Sequence, residues 1–62
     1  MTYVRTKLAL EALETGQVLE VRLRGEEPRR NVPASAQDDG HAVLALVPRE
    51  DGSYVLLLRK GG

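Results

Sequence analysis

The sequence predicts an α+β domain, a two-layer α/β sandwich with the order helix, strand, helix, strand, strand. The run Val18 to Leu23 alternates apolar and charged residues, as in a strand with one covered face. Two further apolar runs, Ala42 to Val47 and Tyr54 to Leu58, flank the turn residues Asp51 to Ser53, which predicts a hairpin. The segment Asn31 to His41 has the end signals of a short helix.

The first helix is predicted to span Thr6 to Glu14, a run of alanine, leucine, lysine and glutamate, which are strong helix formers. Gly16 follows as a C-terminal stop, because glycine readily adopts the left-handed conformation that ends a helix. Within this helix we expect Leu8 and Ala12 to face inward.

The second helix is predicted to fill about two turns between Asn31 and His41. The side-chain oxygen of Asn31 can cap its N-terminus, and Pro33 fits a first turn in which no backbone N–H is needed. Gly40 can end the helix in the left-handed conformation. His41 comes directly after Gly40, where a side chain packs back on the helix end, so we expect it to be structural rather than catalytic.

The three strands differ in how they distribute apolar residues. In the first, Leu19, Val21 and Leu23 alternate with charged residues, which predicts helices on one side and water on the other. The second and third are apolar on both faces, and the open face includes Val55 and Leu57. Two interpretations stay open: a central strand that is apolar by default, or a surface that contacts a partner.

Length and composition indicate one small domain covering residues 1–62. A chain of this size buries only about 60% of its unfolded surface, so its stability is slight without a partner or a staple. Nine acidic and nine basic residues cancel, which argues against a nonspecific nucleic-acid binder because such proteins carry a basic excess. The sequence shows no long apolar run and no signal-peptide pattern. We therefore expect a cytoplasmic protein with no direct membrane partner.

The sequence offers no catalytic constellation. It contains no cysteine and one histidine. A single histidine cannot form a metal site, and no serine or acid is placed to form a triad with His41. We therefore expect no catalytic residue, no metal and no cofactor in this chain.

Five short segments occur in an order and spacing that together are specific. They are Thr6-Lys7, Gly16-x-Val18-Leu19-Glu20-Val21, Asn31-Val32-Pro33, Gly40-His41-x-Val43-Leu44 and Tyr54-x-Leu56-x-Leu58-x-Lys60. In these segments the chain resembles the TusA/SirA-like sulfur-carrier family over nearly its whole length. The resemblance implies a sulfurtransferase that relays persulfide sulfur from a cysteine desulfurase or rhodanese-like donor to an acceptor protein, for tRNA thiolation or related sulfur metabolism.

The chain departs from the family pattern at its N-terminus. Members carry an N-terminal strand and then Cys-Pro-x-Pro at the start of the first helix, whereas this chain has no cysteine. Counting back from Thr6 and Lys7 places Met1 at the third position of that motif and the cysteine two residues before Met1. We therefore expect Met1 to be an internal methionine of a domain truncated at its N-terminus, and the 62-residue chain to be inactive.

The resemblance also implies a fold. The family order is β-α-β-α-β-β, here without its first strand, with a mixed sheet and two helices on one face. The family's first strand lies beside the strand that here is Val18 to Leu23, so its loss leaves an unpaired edge. We expect a homodimer, formed through this edge or through the open sheet face.

Two groups of basic residues are candidates for contacting a partner or supporting a thiolate. Arg5 and Lys7 lie in the first turns of the first helix, where the resemblance places a cysteine whose pKa such cations would lower. Arg29 and Arg30 lie in the loop before the predicted second helix and could bind an acidic partner or a phosphate backbone. For both groups the simpler interpretation is a solvated surface.

Two functions stay open. The first is a sulfur carrier seen without its reactive residue. The second is a cysteine-free TusA-like binding or regulatory module that kept the fold and lost the chemistry. An upstream reading frame that encodes Cys-Pro directly before Met1 would favour the first.

Overall fold

The computed structural model describes residues 2–61 and contains five elements joined by short connections. In chain order they are α1 (Thr2–Glu11), β1 (Val18–Arg24), α2 (Glu26–Asp38), β2 (Ala42–Pro48) and β3 (Ser53–Arg59). The predicted α+β class is confirmed. Met1, which the family pattern aligns with the third residue of its motif, lies outside the described residues, as does Gly62.

The three strands form one antiparallel sheet in the order β1-β3-β2. The central strand is β3, whose Leu58 pairs with Leu19 of β1 and with Val43 of β2. The expected mixed sheet is not found among residues 2–61. The physical reason is that β3 returns from the hairpin between β1 and β2, and so separates the two strands that run in the same direction.

The core lies between the sheet and both helices. Leu56 and Leu58 share one face of β3, and helix residues from α1 and α2 cover them. The buried apolar side chains are Leu10, Leu23, Val32, Ala36, Leu56 and Leu58. Burying a side chain of leucine or valine size contributes about 1.5–3 kcal/mol. A small set of residues therefore supplies most of the packing energy of this domain.

The inward face of α1 differs from the prediction. Leu8 is 61% exposed and Ala12 is also exposed, whereas Thr6 and Leu10 are buried. Tyr3 packs against the core as well. The inward positions are thus spaced by three and four residues, which keeps them on one face of a helix. Leu8 lies two residues from both Thr6 and Leu10, and this spacing directs its side chain away from the core.

Gly16 does not end α1, contrary to the prediction. The helix stops at Glu11, and Gly16 lies further along the chain with a φ of 94°. Its N–H donates a hydrogen bond of 2.8 Å to the carbonyl of Lys60. Gly16 therefore shapes the turn that leads into β1, where a side chain would be strained.

α2 begins earlier than predicted. Its first turn starts at Glu26, after Gly25 at the N-cap, so Asn31 and Pro33 both lie inside the helix. Asn31 is therefore not the N-cap, and Pro33 is not in the first turn. Acidic residues stabilise the positive end of a helix, and Pro28 sits in the first turn, where a missing N–H costs nothing. These two features explain the earlier start.

α2 ends in a Schellman motif around Gly40, which has a φ of 90°. The N–H of Gly40 donates to the carbonyl of Gln37, and the N–H of His41 donates to the carbonyl of Ala36, each over 3.0 Å. This arrangement satisfies the last carbonyls of the helix and turns the chain into β2.

A bulge at Leu44 explains part of the apolar character of β2. The register with β3 shifts between Val43 and Ala45. Val43 and Leu46, three residues apart, both pack against the core. The extra residue interrupts the two-residue alternation of a strand, so apolar residues at odd and even positions can face the same side.

Candidate functional site

A groove runs between α1 and the C-terminal part of α2. It has a volume of about 560 Å³ and is lined by Tyr3, Val4, Lys7, Leu8, Glu11, Ser35, Asp38 and Asp39. Val4 and Leu8 are 48% and 61% exposed, so the apolar part of the groove is open to water. The groove therefore presents apolar and acidic surface next to the start of α1.

Tyr3 joins the two helices at this groove. Its Oη donates a hydrogen bond of 2.9 Å to Oδ2 of Asp39. Partial burial, this hydrogen bond and the negative charges of Asp39 and Glu11 raise the pKa of Tyr3 to about 12. Tyr3 therefore keeps its proton at neutral pH and serves as a hydrogen-bond donor.

The two basic residues predicted on α1 lie on different sides of the helix. Arg5 and Lys7 are both exposed, but only Lys7 lines the groove. Residues two apart are separated by about 200° around a helix, so their side chains do not face each other. Lys7 is therefore the basic residue that lies beside Tyr3 and the acidic end of α2.

A polar cluster lies at the N-terminal end of α2. Arg29 donates from Nε and Nη2 to Oε2 of Glu26, over 3.2 and 2.9 Å. The Oη of Tyr54 donates to Oε1 of the same carboxylate over 2.9 Å. The guanidinium carbon of Arg29 lies 5.4 Å from the centre of the Tyr54 ring, within the range of a cation–π contact. The hydrogen bonds from Arg29 and Tyr54 lower the pKa of Glu26.

Arg29 and Arg30 thus have different surroundings, although they are adjacent. Arg29 is held by Glu26 and Tyr54, whereas Arg30 is exposed. Arg29 and Asp39 are ten residues apart, or about 15 Å along the helix axis. The basic residues predicted on α1 and those predicted before the second helix therefore belong to two separate regions.

His41 and Lys60 hold chain segments together. Nδ1 of His41 accepts a hydrogen bond of 3.0 Å from the N–H of Gly61. Nζ of Lys60 donates one of 2.8 Å to the carbonyl of Leu10. His41 therefore connects the start of β2 with the segment after β3, instead of packing back on the end of α2 as predicted.

The described residues offer polar and charged side chains for contacts. Residues 2–61 contain no group of three or more side chains able to hold a metal ion. No helix in the same range is both long and apolar enough to cross a membrane. The sequence has no cysteine. Tyr3 offers hydrogen bonding, and Lys7, Arg29 and Arg30 offer charge contacts.

Tyr3, Asp39 and Tyr54 belong to these regions although no local sequence pattern indicates it. Tyr3 and Asp39 are 36 residues apart, so no local spacing connects them. The contact between Glu26 and Arg29 can be predicted from the sequence, because oppositely charged residues three apart lie on the same face of a helix. That prediction applies only when the helix starts at Glu26.

Comparison with known proteins assigns the family. Residues 1–60 match the family described as Sulfurtransferase TusA. A relative from Archaeoglobus fulgidus, named "Putative sulfur carrier protein", is 34% identical over 59 residues, which cover 95% of this chain and 67% of the relative. No solved structure matches the chain significantly. The chain belongs to the TusA sulfurtransferase family.

Proposed function

We propose that this chain is a sulfur-carrier domain that takes part in the relay of persulfide sulfur from a cysteine desulfurase or rhodanese-like donor to an acceptor protein. The observation that carries the proposal is the family match over residues 1–60, supported by a relative named as a sulfur carrier. In this role the domain serves tRNA thiolation or related sulfur metabolism in the cytoplasm.

The chemistry of this relay needs a cysteine thiolate, and the 62 residues contain none. Sulfur moves when an acceptor thiolate attacks the outer sulfur of a donor persulfide; the donor leaves as a thiolate and the acceptor becomes the persulfide. In our proposal the thiolate belongs to a Cys-Pro segment directly before Met1. The 62 residues themselves supply the scaffold and the docking surface.

The start of α1 is suited to a sulfur anion. A helix N-terminus carries partial positive charge, and the first turn of α1 contains no acidic residue that would cancel it. Arg5 and Lys7 add two exposed cations close to this end. A thiol placed here is expected to have a lowered pKa, and a persulfide anion is favoured for the same reason.

The docking surfaces in this proposal are the groove between α1 and α2 and the exposed Arg30. The groove offers apolar contact through Val4 and Leu8, and Lys7 adds a positive charge beside them. Arg30, next to the ordered Arg29, can make bidentate contacts with carboxylates of a partner. Arg30 therefore fits an acidic patch of a donor or acceptor protein, and the groove, which Glu11, Asp38 and Asp39 also line, fits an apolar segment.

A cysteine-free binding or regulatory module is the second candidate. The complete absence of cysteine from the 62 residues favours it. Such a module would contact the same partners through the same surfaces and would not accept sulfur.

Three versions of the chain separate these candidates: the 62-residue chain, one extended upstream by a strand and Cys-Pro, and one extended by the same strand and Ser-Pro. Each is incubated with a cysteine desulfurase and sulfur-labelled cysteine and analysed under denaturing, non-reducing conditions. Sulfur transfer predicts label on the Cys-Pro version alone. Covalent label on the unextended chain contradicts the proposal, and a folded but unlabelled Cys-Pro version supports the binding module.

A further inference from the structure

The face of the sheet opposite the helices carries a contiguous apolar patch. The buried residues of β3 point toward α1 and α2, so Val55 and Leu57, which alternate with them, point to the other side. Residues paired directly across an antiparallel sheet share a face, which adds Ala45, opposite Leu57, and Val47, opposite Val55. No element among residues 2–61 covers these four residues, which we call the open-face patch. Exposed apolar patches with a polar rim are typical of interaction surfaces.

The open-face patch is independent of the sulfur relay proposed above. In that proposal a further strand precedes α1 and joins the sheet beside β1. A strand that joins a sheet at its edge lies in the plane of the sheet and leaves both faces as they are. The groove between α1 and α2 lies on the helix side, so a partner on the open face leaves it free.

One rim of the patch carries two opposite charges. Glu20 and Arg22 of β1 lie directly across from Leu57 and Val55, so they share the open face. Both are exposed, and neither has an ion-pair partner among residues 2–61. A uniformly charged partner would match one of these residues and repel the other. A second copy of the same surface can match both.

We propose that two copies of this chain associate through their open-face patches, about a twofold axis that runs across the strands between Leu57 and Val55. Leu57 then lies over Val55 of the partner subunit, and Ala45 lies over Val47 of the partner subunit. Two sheets packed in this aligned manner are about 10 Å apart, and their facing side chains form a common apolar layer. Apolar area that loses contact with water favours the association.

The charges select this axis. Glu20 lies over Arg22 of the partner subunit, and Arg22 lies over the partner subunit's Glu20, so each dimer gains two pairs of opposite charge. A twofold axis along the strands would set Glu20 over Ala45 of the partner subunit and Arg22 over Val47 of the partner subunit. Both charges would then lie on apolar surface, which costs free energy.

The size of the open face predicts a weak, reversible dimer. Three strands of seven residues cover about 14 Å by 23 Å. This footprint is well below the area of about 800 Å² that each partner buries in a standard interface. We therefore expect a Kd in the micromolar to millimolar range.

Sedimentation equilibrium across this concentration range tests the dimer. V47D sets a short carboxylate inside the apolar layer at two places in each dimer, so it is expected to raise the Kd at least about tenfold. V4D is the matched control. Val4 is 48% exposed and Val47 is 47% exposed, but Val4 lies on α1, so V4D should leave the Kd unchanged.

Charge reversal tests the axis. E20R and R22E each set like charges over each other at two places, so each is expected to raise the Kd about fivefold. The double variant E20R/R22E restores opposite charges and should return within about twofold of the original Kd. R5E reverses an exposed charge on α1 and serves as the control.

Amide NMR spectra locate the surface independently. On raising the protein concentration, shifts are expected for the four residues of the open-face patch and not for α1. The version extended upstream by a strand and Ser-Pro should show the same shifts, because the added strand leaves the open face uncovered. Association through the edge of β1 would instead be lost in that version.

Three results would overturn the proposal: a monomer across the whole concentration range, a dimer that V47D does not weaken, or a dimer whose Kd ignores the charges of Glu20 and Arg22. Circular dichroism of each variant shows that a lost dimer is not a lost fold. The sulfur-labelling experiment has a separate readout, so failure of the dimer leaves the proposed function untouched.

Discussion

Nζ of Lys60 donates a hydrogen bond of 2.8 Å to the backbone carbonyl of Leu10, across 50 residues of sequence. The side chain of Leu10 is fully buried in the core. Leu10 thus anchors α1 twice, through its carbonyl to the segment after β3 and through its side chain to the packed interior. The position of α1 depends on this residue more than on its exposed neighbours.

Replacing Leu10 with alanine is therefore expected to cost about 2–5 kcal/mol in the free energy of unfolding. That loss is comparable with the whole stability of a domain of this size, so L10A should be largely unfolded at room temperature. Leu8 provides the matched control on the same helix: it is 61% exposed, and L8A should change the stability by less than about 0.5 kcal/mol. Urea unfolding measures both. Equal effects would contradict the packing of α1 through Leu10.

The hydrogen bond between Tyr3 and Asp39 predicts a loss of stability at alkaline pH. The folded state raises the pKa of Tyr3 from 10.0 to about 12, so an unfolded chain releases this proton first. The contribution of protonated Tyr3 to the free energy of unfolding is complete below pH 10.0 and is lost as the pH rises to about 12. Y3F lacks the hydroxyl and its proton, so the stability of the unmodified protein relative to Y3F, an advantage of about 0.5–1 kcal/mol at neutral pH, should fall steadily over this range.

A direct titration checks the cause of this pH dependence. The chain contains two tyrosines, so in Y54F the absorbance of tyrosinate reports Tyr3 alone. We expect a midpoint well above 10.0 in the folded protein and a normal midpoint in urea. A normal midpoint in the folded protein would show that Asp39 does not hold the phenol.

Pro33 offers a stabilising substitution. It lies inside α2 and supplies no N–H to the carbonyl of Arg29 four residues earlier. P33A restores that donor and raises the helix propensity at this position. This effect is larger than the conformational entropy that the more flexible alanine adds to the unfolded chain, so we expect the free energy of unfolding to rise by about 2 kcal/mol. P28A, in the first turn, should change the stability by less than about 0.5 kcal/mol. An increase in the urea midpoint for P28A and none for P33A would contradict the observed helix start.

The strands were predictable from the sequence because their signals are local. The alternation from Val18 and the turn at Asp51 to Ser53 place all three strands within one residue of their observed ends. The start of α2 was not predictable in the same way. Asn31 and Pro33 are residue types typical of a helix start, although both lie inside α2. The observed N-cap is Gly25, which has no side chain that could form a capping hydrogen bond. Burial of Val32 within the helix outweighs the local cost of the proline.

The candidate site was only partly predictable. The spacing of Arg5 and Lys7 already indicates that they leave α1 on different sides, since residues two apart do not face each other. The contacts of Tyr3 with Asp39 and of Tyr54 with Glu26 join residues 36 and 28 positions apart. Such pairs depend on how helices and sheet pack together, and no periodicity in the chain encodes them.

Two electrostatic effects act on a thiol placed before α1, and they differ in range. The partial positive charge of the helix end acts directly on a group at the first turn. Lys7 lies five residues after Thr2, so it is at least about 7.5 Å along the axis from a thiol placed before α1, which is close to the Debye length of about 8 Å at physiological salt. The helix end should therefore lower the pKa of the thiol more than Lys7 does.

In the version extended by a strand and Cys-Pro, the thiol is therefore expected to have a pKa below the ordinary cysteine value of about 8.5, measured from the ultraviolet absorbance of the thiolate. K7A should raise this pKa by a few tenths of a unit at physiological salt, and by more at low salt, where screening is weaker. The fold should survive because Lys7 is exposed. R59A removes an exposed cation from β3 and serves as the control, with no expected change. A thiol that titrates near its ordinary value of about 8.5 in the extended protein would show that the start of α1 is not suited to sulfur chemistry and would favour the binding module.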